Sequence, residues 1–339
     1  MENKLEIQVV PYSPQWHTRL LDYMKKVYPH RNVKYFDWWL SNIDSGDERD
    51  WRKCIIVIED NEIIGCTTAI PTEIINEKTR DRIYSRGNTI ISQEKRGKGI
   101  SKLLYEMVNS YNNWLSVGIT DIAWAIQPKY VKSFTPIRPV RIYITTNIKV
   151  LGQLIKRLFN PEGKEEKSFV MPEQIKLKNN VVFVKINDVR QIVVPKNAHW
   201  TSDRVELIRD KDYFNNRFFG IYCANKYGVY RYEKNDKLEG YIVLRKMHYA
   251  SLDMVSVVDY RFMDRKDERL AFAAANKLAR KNHIGFVFGM TSRNYSVFGT
   301  PVLIRARKTL NCAVGTKEID FSDMLVTSAD SDLDFVYYN

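Results

Sequence analysis

Apolar and polar positions alternate over residues 5–10 and stop at Pro11-Tyr12-Ser13-Pro14, which predicts a strand and then a break. Ser13 followed by Pro14 is a helix start, and Trp16, Leu20, Leu21, Met24 and Val27 recur at helical spacing after it. Residues 33–43 predict a second short helix carrying Tyr35, Phe36, Trp38, Trp39 and Leu40. Residues 54–59 and 62–71 predict two strands joined by Asp60-Asn61, a pair suited to a tight hairpin. The next strand spans 83–92. After a basic turn, Leu103, Leu104, Met107 and Val108 share one face of a helix. An apolar run at 121–127 predicts a further strand ended by Pro128, and 141–150 predicts the last one, after Pro136 and Pro139 flank Arg138.

Beyond residue 150 the pattern changes. Residues 151–159 read as helix, 160–167 as a charged loop, and 181–186 and 190–194 as short strands. The stretch 151–200 is therefore connecting structure with some sheet. Residues 201–325 then repeat the first 150 in outline. Tyr213-Phe214-Asn215-Asn216-Arg217-Phe218 echoes Tyr35-Phe36-Asp37-Trp38-Trp39-Leu40 at an offset of 178 (213 − 35). Gly240, opening the apolar run 241–245, echoes Gly65 at an offset of 175 (240 − 65), and a helix at 267–281 echoes 99–112 at 168 (267 − 99). The apolar stretch 284–290 echoes 122–125 at a similar spacing. These offsets predict a duplicated domain, with copies at 1–150 and 201–325, a connector at 151–200 and a tail at 326–339.

A chain of 339 residues, 44% hydrophobic and 12% aromatic, has material for two cores and is not of disordered type. Its formal net charge of +13 favours polyanionic ligands: CoA phosphates, nucleotide-linked substrates, nucleic acid or an anionic membrane face. Cys54, Cys66, Cys223 and Cys312 are scattered, without metal-ligand spacing, so neither a metal nor a disulfide framework is expected. No apolar leader or transmembrane run is read, which makes the cytosol the expected location. No helix-turn-helix or basic–aromatic stripe suggests DNA binding.

The chemistry concentrates at Asn88-Thr89-Ile90-Ile91-Ser92-Gln93-Glu94-Lys95-Arg96-Gly97-Lys98-Gly99-Ile100-Ser101-Lys102. A strand, a glycine-spaced basic turn and a helix start suit a diphosphate: glycines let the backbone approach it, and free N–H groups and the positive dipole end meet it. Neither GxGxxG nor GxxxxGK[ST] is present. Arg96-Gly97-Lys98-Gly99-Ile100-Ser101 resembles the acyl-CoA loop of the GCN5-related N-acetyltransferases, [QR]-x-x-G-x-[GA], departing from it at Ser101. The element order over residues 1–150 is similar to that family's as well. The resemblance implies an α/β (α+β) fold with a mixed, mostly antiparallel, splayed sheet flanked by helices in each copy. It implies acetyl-CoA or another acyl-CoA as co-substrate, held by the amides of Ile90, Ile91 and Ser92 and by the loop. The stretch Tyr35-Phe36-Asp37-Trp38-Trp39 is similar to that of a branch found in sugar and cell-envelope biosynthesis, which implies an amino-sugar or sugar-nucleotide acceptor.

Acyl transfer needs a polarised thioester carbonyl, removal of an acceptor proton and a proton for the departing thiolate. The resemblance gives the first to the strand amides. For the second, Asn88 stands where that branch often has Asp, and Asn cannot take a proton. Glu73 is the substitute candidate, followed by His17 and His30. For the third, Tyr130 is the best-placed tyrosine, with Tyr143 as runner-up. Trp38 is a candidate for stacking on a sugar or base, and Arg86, Arg138 and Arg141 are candidates for an acceptor phosphate. Around Asp264-Arg265-Lys266-Asp267-Glu268 the second copy has carboxylates and no glycine, so only the first is expected to bind CoA. Two other readings stay open: an aminoacyl-tRNA-dependent transferase of the Fem type, which the basic charge favours, and a non-catalytic CoA-binding module.

Overall fold

Strand pairing in the computed structural model begins with an antiparallel ladder of β1 (Gln8–Pro11), β2 (Ile55–Glu59), β3 (Glu62–Asn76) and β4 (Thr79–Ile91). The structure describes residues 7–29, 34, 36–38, 40, 54–76, 79–111, 113–146, 169–178, 180–192, 205–220, 226–234, 237–249, 252–295, 303–316 and 318–331. Asp60 and Asn61 turn β2 into β3 with φ of 49° and 62°, as a tight hairpin requires. Helix α1 (His17–Val27) joins β1 to β2, and α2 (Ile100–Met107) joins β4 to β5 (Trp114–Ile119), which runs parallel to β4. Strand side chains alternate in direction, so the hairpin has two apolar faces. Leu20, Tyr23 and Met24 of α1 pack on Ile56, Ile58 and Cys66. Ile100 and Leu104 of α2 pack on Ile55, Val57 and Ile64 on the other side.

Helix α3 (Asp121–Tyr130) follows β5 and leads to β6 (Thr135–Thr146). Further on lie β7 (Gln174–Lys176), β8 (Val182–Ile186) and β9 (Glu206–Leu207), then α4 (Lys211–Phe214), which continues as a π-helix over Asn215–Phe219. Three long strands follow, β10 (Gly228–Lys234), β11 (Lys237–Tyr249) and β12 (Leu252–Phe262). A 3₁₀ turn (Arg265–Glu268) and helix α5 (Arg269–Lys281) then cross to β13 (Phe286–Thr291), parallel to β12, and β14 (Leu303–Val314) ends the series.

Among the described residues all strands join one sheet, ordered β1-β2-β3-β4-β5-β14-β6-β13-β12-β11-β10-β8-β7, with β9 on β3. This is the mixed, mostly antiparallel open sheet flanked by helices that the sequence predicts. Its middle is interleaved. Strand β14 lies between β5 and β6, and β6 lies between β14 and β13.

Several boundaries differ from the sequence reading. Residues 121–127 are helix, not strand, and the strand is the preceding Trp114–Ile119. An uninterrupted apolar block does not distinguish the two states by period; Thr120 decides it by accepting the Ala123 N–H (3.3 Å) as a helix cap. Residues 189–191 form a 3₁₀ turn closed by an Asp188/Gln191 capping box, where a strand over 190–194 was expected. The strand expected at 141–150 is β6, which starts six residues earlier (141 − 135) and includes Pro136 and Pro139. The β6/β14 register slips between Leu310 and Cys312, next to Pro139, and such a slip accommodates a residue without an N–H. Ser13 stands before Pro14–Trp16 without a side-chain cap bond. His30, Tyr35, Trp39, Cys223, the helix at 151–159 and the loop at 160–167 lie outside the described residues.

Candidate active site

The glycine-spaced turn has the backbone its sequence demands. Gly97 and Gly99 have φ of +80° and +82°, a region that side-chain-bearing residues rarely adopt, and a Cβ built at either meets no atom within 4 Å. The turn is thus left-handed where it must be and open above. Ile100 then starts α2, whose first N–H groups have no acceptor within the helix. Arg96, Lys98 and Gly99 are exposed, and Ser101 lies half-exposed in the first turn. Lys95 is tied to Glu59 and Lys102 faces Glu106 at 3.8 Å, whereas Arg96 donates to the Ile91 carbonyl (3.4 Å).

Beside this turn the sheet parts. Strands β4 and β5 pair only at Tyr84 with Trp114, Ser85 with Leu115 and Arg86 with Ser116. Beyond Arg86 they diverge. In the same stretch β4 carries a bulge: Gly87 pairs with Thr68 and Ile90 with Cys66, which leaves Asn88 and Thr89 opposite Thr67. Asn88 sits there with φ of +50°, and the Thr67 and Thr89 hydroxyls bond at 2.9 Å. Ser92 donates its N–H back to Ile64 on β3 (2.9 Å), so by alternation the N–H of Ile91 points into the parting. The bulge also reverses the facing of β4. Tyr84 packs with Tyr105 of α2 and with Val108 just after it, whereas Ile90 joins the α1 cluster. Cys66 is no nucleophile here: burial pushes its thiol up to about 12, and it donates to the Asn88 carbonyl at 3.8 Å.

A cavity of ≈ 500 Å³ lies along the outer halves of β3 and β4, between them and α4. Trp38, Ser85, Arg82, Asp212, Tyr213 and Arg217 are among its walls. Trp38 donates to the Asn216 carbonyl (3.3 Å), and the Arg217 guanidinium lies 5.6 Å over its ring. The two aromatic stretches that echo each other in sequence therefore touch in the structure. Glu73 is also a wall. Its carboxylate receives Arg80 Nε at 2.6 Å, and Arg80 reaches Asp210 at 2.9 Å.

No protein-family model and no curated protein matches the sequence. Solved structures do. Yeast (Saccharomyces cerevisiae) N-myristoyltransferase with bound myristoyl-CoA superposes with a TM-score of 0.59 at 13% identity, covering 93% of this chain and 80% of that one. A conserved Enterococcus faecalis protein, a "probable N-acyltransferase", gives 0.58 at 11% identity over 91% of this chain and 72% of its own. A GCN5-related N-acetyltransferase from Anabaena variabilis gives 0.54 at 11%, with 91% and 72% covered. The fold is that of the GCN5-related N-acetyltransferases.

The acetyltransferase fold brings some predicted residues together and separates others. Asn88, Ile90, Ile91, Ser92 and the Arg96–Ser101 turn line one edge of the parted strands. Arg86 lies at the inner end of the parting, buried at 4% exposure, and not at an acceptor surface. Tyr130 ends α3 next to α2, with Lys102 Nζ 6.0 Å from its ring. Glu73 pairs with Arg82, six residues before Asn88 (88 − 82), which separates it from the bulge by about 20 Å of strand. Arg138 and Arg141 stand on β6, separated from β4 by both β5 and β14, with Arg138 3.6 Å from Asp323. Tyr143 is fully buried and donates to the Arg293 carbonyl (3.0 Å). His17 bridges Tyr12 and Asp37, both at 2.9 Å, on the α1 side.

Sequence reasoning missed a second constellation. Strands β12 and β13 pair over Met254–Val257 and then part, and β12 bulges between its partners Val243 and Leu244. Asp259 stands in that parting. It receives Arg209 Nε (2.8 Å), Arg261 Nη1 (2.8 Å), the Tyr241 hydroxyl (2.8 Å) and the Thr327 hydroxyl (2.7 Å). Asp330 closes the cluster onto Arg209 and accepts the Thr327 N–H at 2.8 Å. Burial alone would raise the Asp259 carboxyl, but the two guanidiniums hold it down at about 2.

Proposed function

We propose that this chain is an acyl-CoA-dependent N-acyltransferase whose donor lies in the β4/β5 parting and whose acceptor enters the neighbouring cavity. One observation carries the reading: an open, left-handed glycine turn at a helix start, alongside strand edges that no strand covers among the described residues. The turn's N–H groups, with Arg96 and Lys98, suit the CoA diphosphate. The inward N–H of Ile91 and the backbone of Thr89 suit the pantetheine arm and the thioester carbonyl. The two parallel-pair units, β4–α2–β5 and β12–α5–β13, are read as tandem copies (residues 1–150 and 201–325), with only the first loaded.

In the reaction the acceptor nitrogen attacks the thioester carbonyl, the C–N bond forms and the C–S bond breaks. The Tyr130 hydroxyl supplies the proton for the departing thiolate, and the proton shed by the amine leaves through solvent. Asn88 cannot act as base. Glu73, ion-paired to Arg80 and remote from the bulge, is assigned to the acceptor cavity instead. Trp38 and Tyr213 offer rings, and Asp210 and Asp212 offer carboxylates, to a hydroxylated amine; Arg82 and Arg217 suit a phosphate on it. An amino sugar or its nucleotide-linked form fits that wall chemistry. The intact first turn is the reason to prefer CoA over aminoacyl-tRNA as donor.

Calorimetric titration with CoA tests the donor. Micromolar binding that Arg96→Glu weakens at least about tenfold, some 1.4 kcal/mol, is the expected result. A protein that binds no CoA but retains salt-sensitive tRNA binding would overturn the assignment.

A further inference from the structure

Among the described residues, Arg86 is a buried charge without a counter-ion. Three other buried arginines hold carboxylates: Arg209 and Arg261 hold Asp259, and Arg293 holds Glu268 at 3.2 Å. Around Arg86, no carboxylate lies within ion-pair distance among the described residues. Its Nε has no hydrogen-bond partner, and its Nη1 reaches Gln127 Oε1 only at 3.5 Å, the outer limit of a bond. The guanidinium stacks 4.8 Å over the Trp114 ring, and the Tyr105 hydroxyl bonds the same Gln127. Burial pulls the Arg86 guanidinium down from its ordinary value, and the nearby Tyr111 and Tyr105 hydroxyls offset that only in part. Burying an ion without a partner is costly, so a protein keeps such an arrangement where something else completes it.

The position says what completes it. Arg86 and Ser116 form the last register pair before β4 and β5 diverge, so Arg86 closes the inner end of the parting whose outer end is the Arg96–Ser101 turn. A donor with its diphosphate on the turn and its thioester at the Asn88–Thr89 bulge directs its acyl chain towards Arg86. From Thr89 to Arg86 is three residues of strand (89 − 86), about 10 Å, and the arginine side chain itself spans a large part of that. Trp114, Tyr105 and Gln127 give this end an aromatic wall with polar tips, rather than the long apolar sleeve a fatty chain needs.

We propose that the transferred acyl group is a short dicarboxylic one, such as succinyl, whose free carboxylate is received by Arg86 with Gln127 and Tyr105 beside it. This rests on the donor reading above and names its acyl class. The carboxylate is a spectator in the transfer. It completes the ion pair and fixes the chain while the thioester carbonyl reacts.

The test titrates the whole chain with CoA, butyryl-CoA and succinyl-CoA, the last two of equal carbon count and differing in a methyl against a carboxylate. Succinyl-CoA is expected to bind at least tenfold more tightly than butyryl-CoA. Arg86→Met is expected to erase that preference and raise the melting temperature of the ligand-free protein, because an unpartnered buried charge has gone. Equal binding of the two acyl-CoAs to the unmutated protein overturns this proposal alone, and so does a lowered melting temperature in Arg86→Met with the preference retained. Failure of CoA itself to bind overturns the donor reading, and this proposal with it.

Discussion

The two places where parallel strands part have the same frame and opposite contents. Gly65 faces Ile91 on β4, and Gly240 faces Phe262 on β12; Asn88 and Asp259 each stand three residues earlier (91 − 88 and 262 − 259), at or beside a bulge. In the first, Gly87, Thr89 and Ile91 remain half-exposed and their outer edge is uncovered. In the second, every residue from Met254 to Phe262 is buried. Two arginines and two aspartates fill the space there, balanced in charge and satisfied by Tyr241 and Thr327. The turns that follow differ in the same sense: Gly97 and Gly99 open one, whereas Asp264 folds back onto the Lys266 N–H (2.9 Å) in the other. A parting in the sheet is thus met in two ways: the β4/β5 parting keeps half-exposed strand residues, whereas the β12/β13 parting is filled by an ion cluster of the chain's own side chains.

The largest effect should come from separating the two. Because β14 lies between β5 and β6, and β6 between β14 and β13, each half completes the other's sheet. A fragment of residues 1–150 leaves β5 and β6 without their shared partner, exposing unpaired backbone and the Leu115–Cys312 core. It is expected to show no cooperative thermal unfolding by circular dichroism, and co-expression with 151–339 is expected to restore it. A cooperative transition in the isolated fragment would break the view that the halves are structurally inseparable.

Next in size is the ion cluster. Asp259→Asn leaves two buried guanidiniums to share Asp330, and removal of one member of a buried pair costs about 3–5 kcal/mol. The pH dependence has a definite sign. The folded carboxyl lies at about 2, below its ordinary 3.8, so ionised Asp259 contributes stability in full above about pH 5. That contribution is lost as pH falls through about 2. Urea unfolding across pH 2–7 should show this acid loss in the unmutated protein and a flatter profile in Asp259→Asn. Equal slopes would mean that the second parting is held by packing alone.

How much of this was legible depends on the range of the interactions. The Asp60-Asn61 hairpin and the Arg96–Ser101 turn are set by neighbours in sequence, and the residues announce them; the face of α2 was legible only in part, since Ile100, Leu104 and Tyr105 are its buried residues and Met107 is exposed. The run Ile122-Ala123-Trp124-Ala125-Ile126 did not announce helix, because the Thr120 cap that decides it is one hydrogen bond outside the apolar block. The ion cluster was not legible at all. Arg209 meets Asp259 across 50 residues and Asp330 across 121, and nothing near any of the three in sequence marks a shared site. Arg86 was legible as a charge on the right strand. Its lack of a counter-ion among the described residues was not, since that is a property of Trp114, Tyr105 and Gln127 gathering around it.

The smallest effects sharpen the comparison most, since they leave the fold intact. Gly99→Ala puts a side chain at φ of +82°, a cost of about 1–2 kcal/mol, and places a methyl in the open space above the turn. Either the turn relaxes and its N–H groups rotate, or the methyl stays where the diphosphate would lie. In both cases CoA affinity is expected to fall about tenfold. Asp264→Asn, in the corresponding turn of the second half, removes a carboxylate that would repel phosphate. If that turn still served a ligand, losing the charge would tighten CoA binding or add a second site. The following residues form a 3₁₀ turn without glycine, and the parting behind it is filled. Calorimetry on Asp264→Asn is therefore expected to return one site with affinity unchanged to within about twofold, a few tenths of a kcal/mol. A second binding site appearing in that variant would show that electrostatics, rather than occupancy by Asp259 and its arginines, is what keeps the second parting empty of ligand.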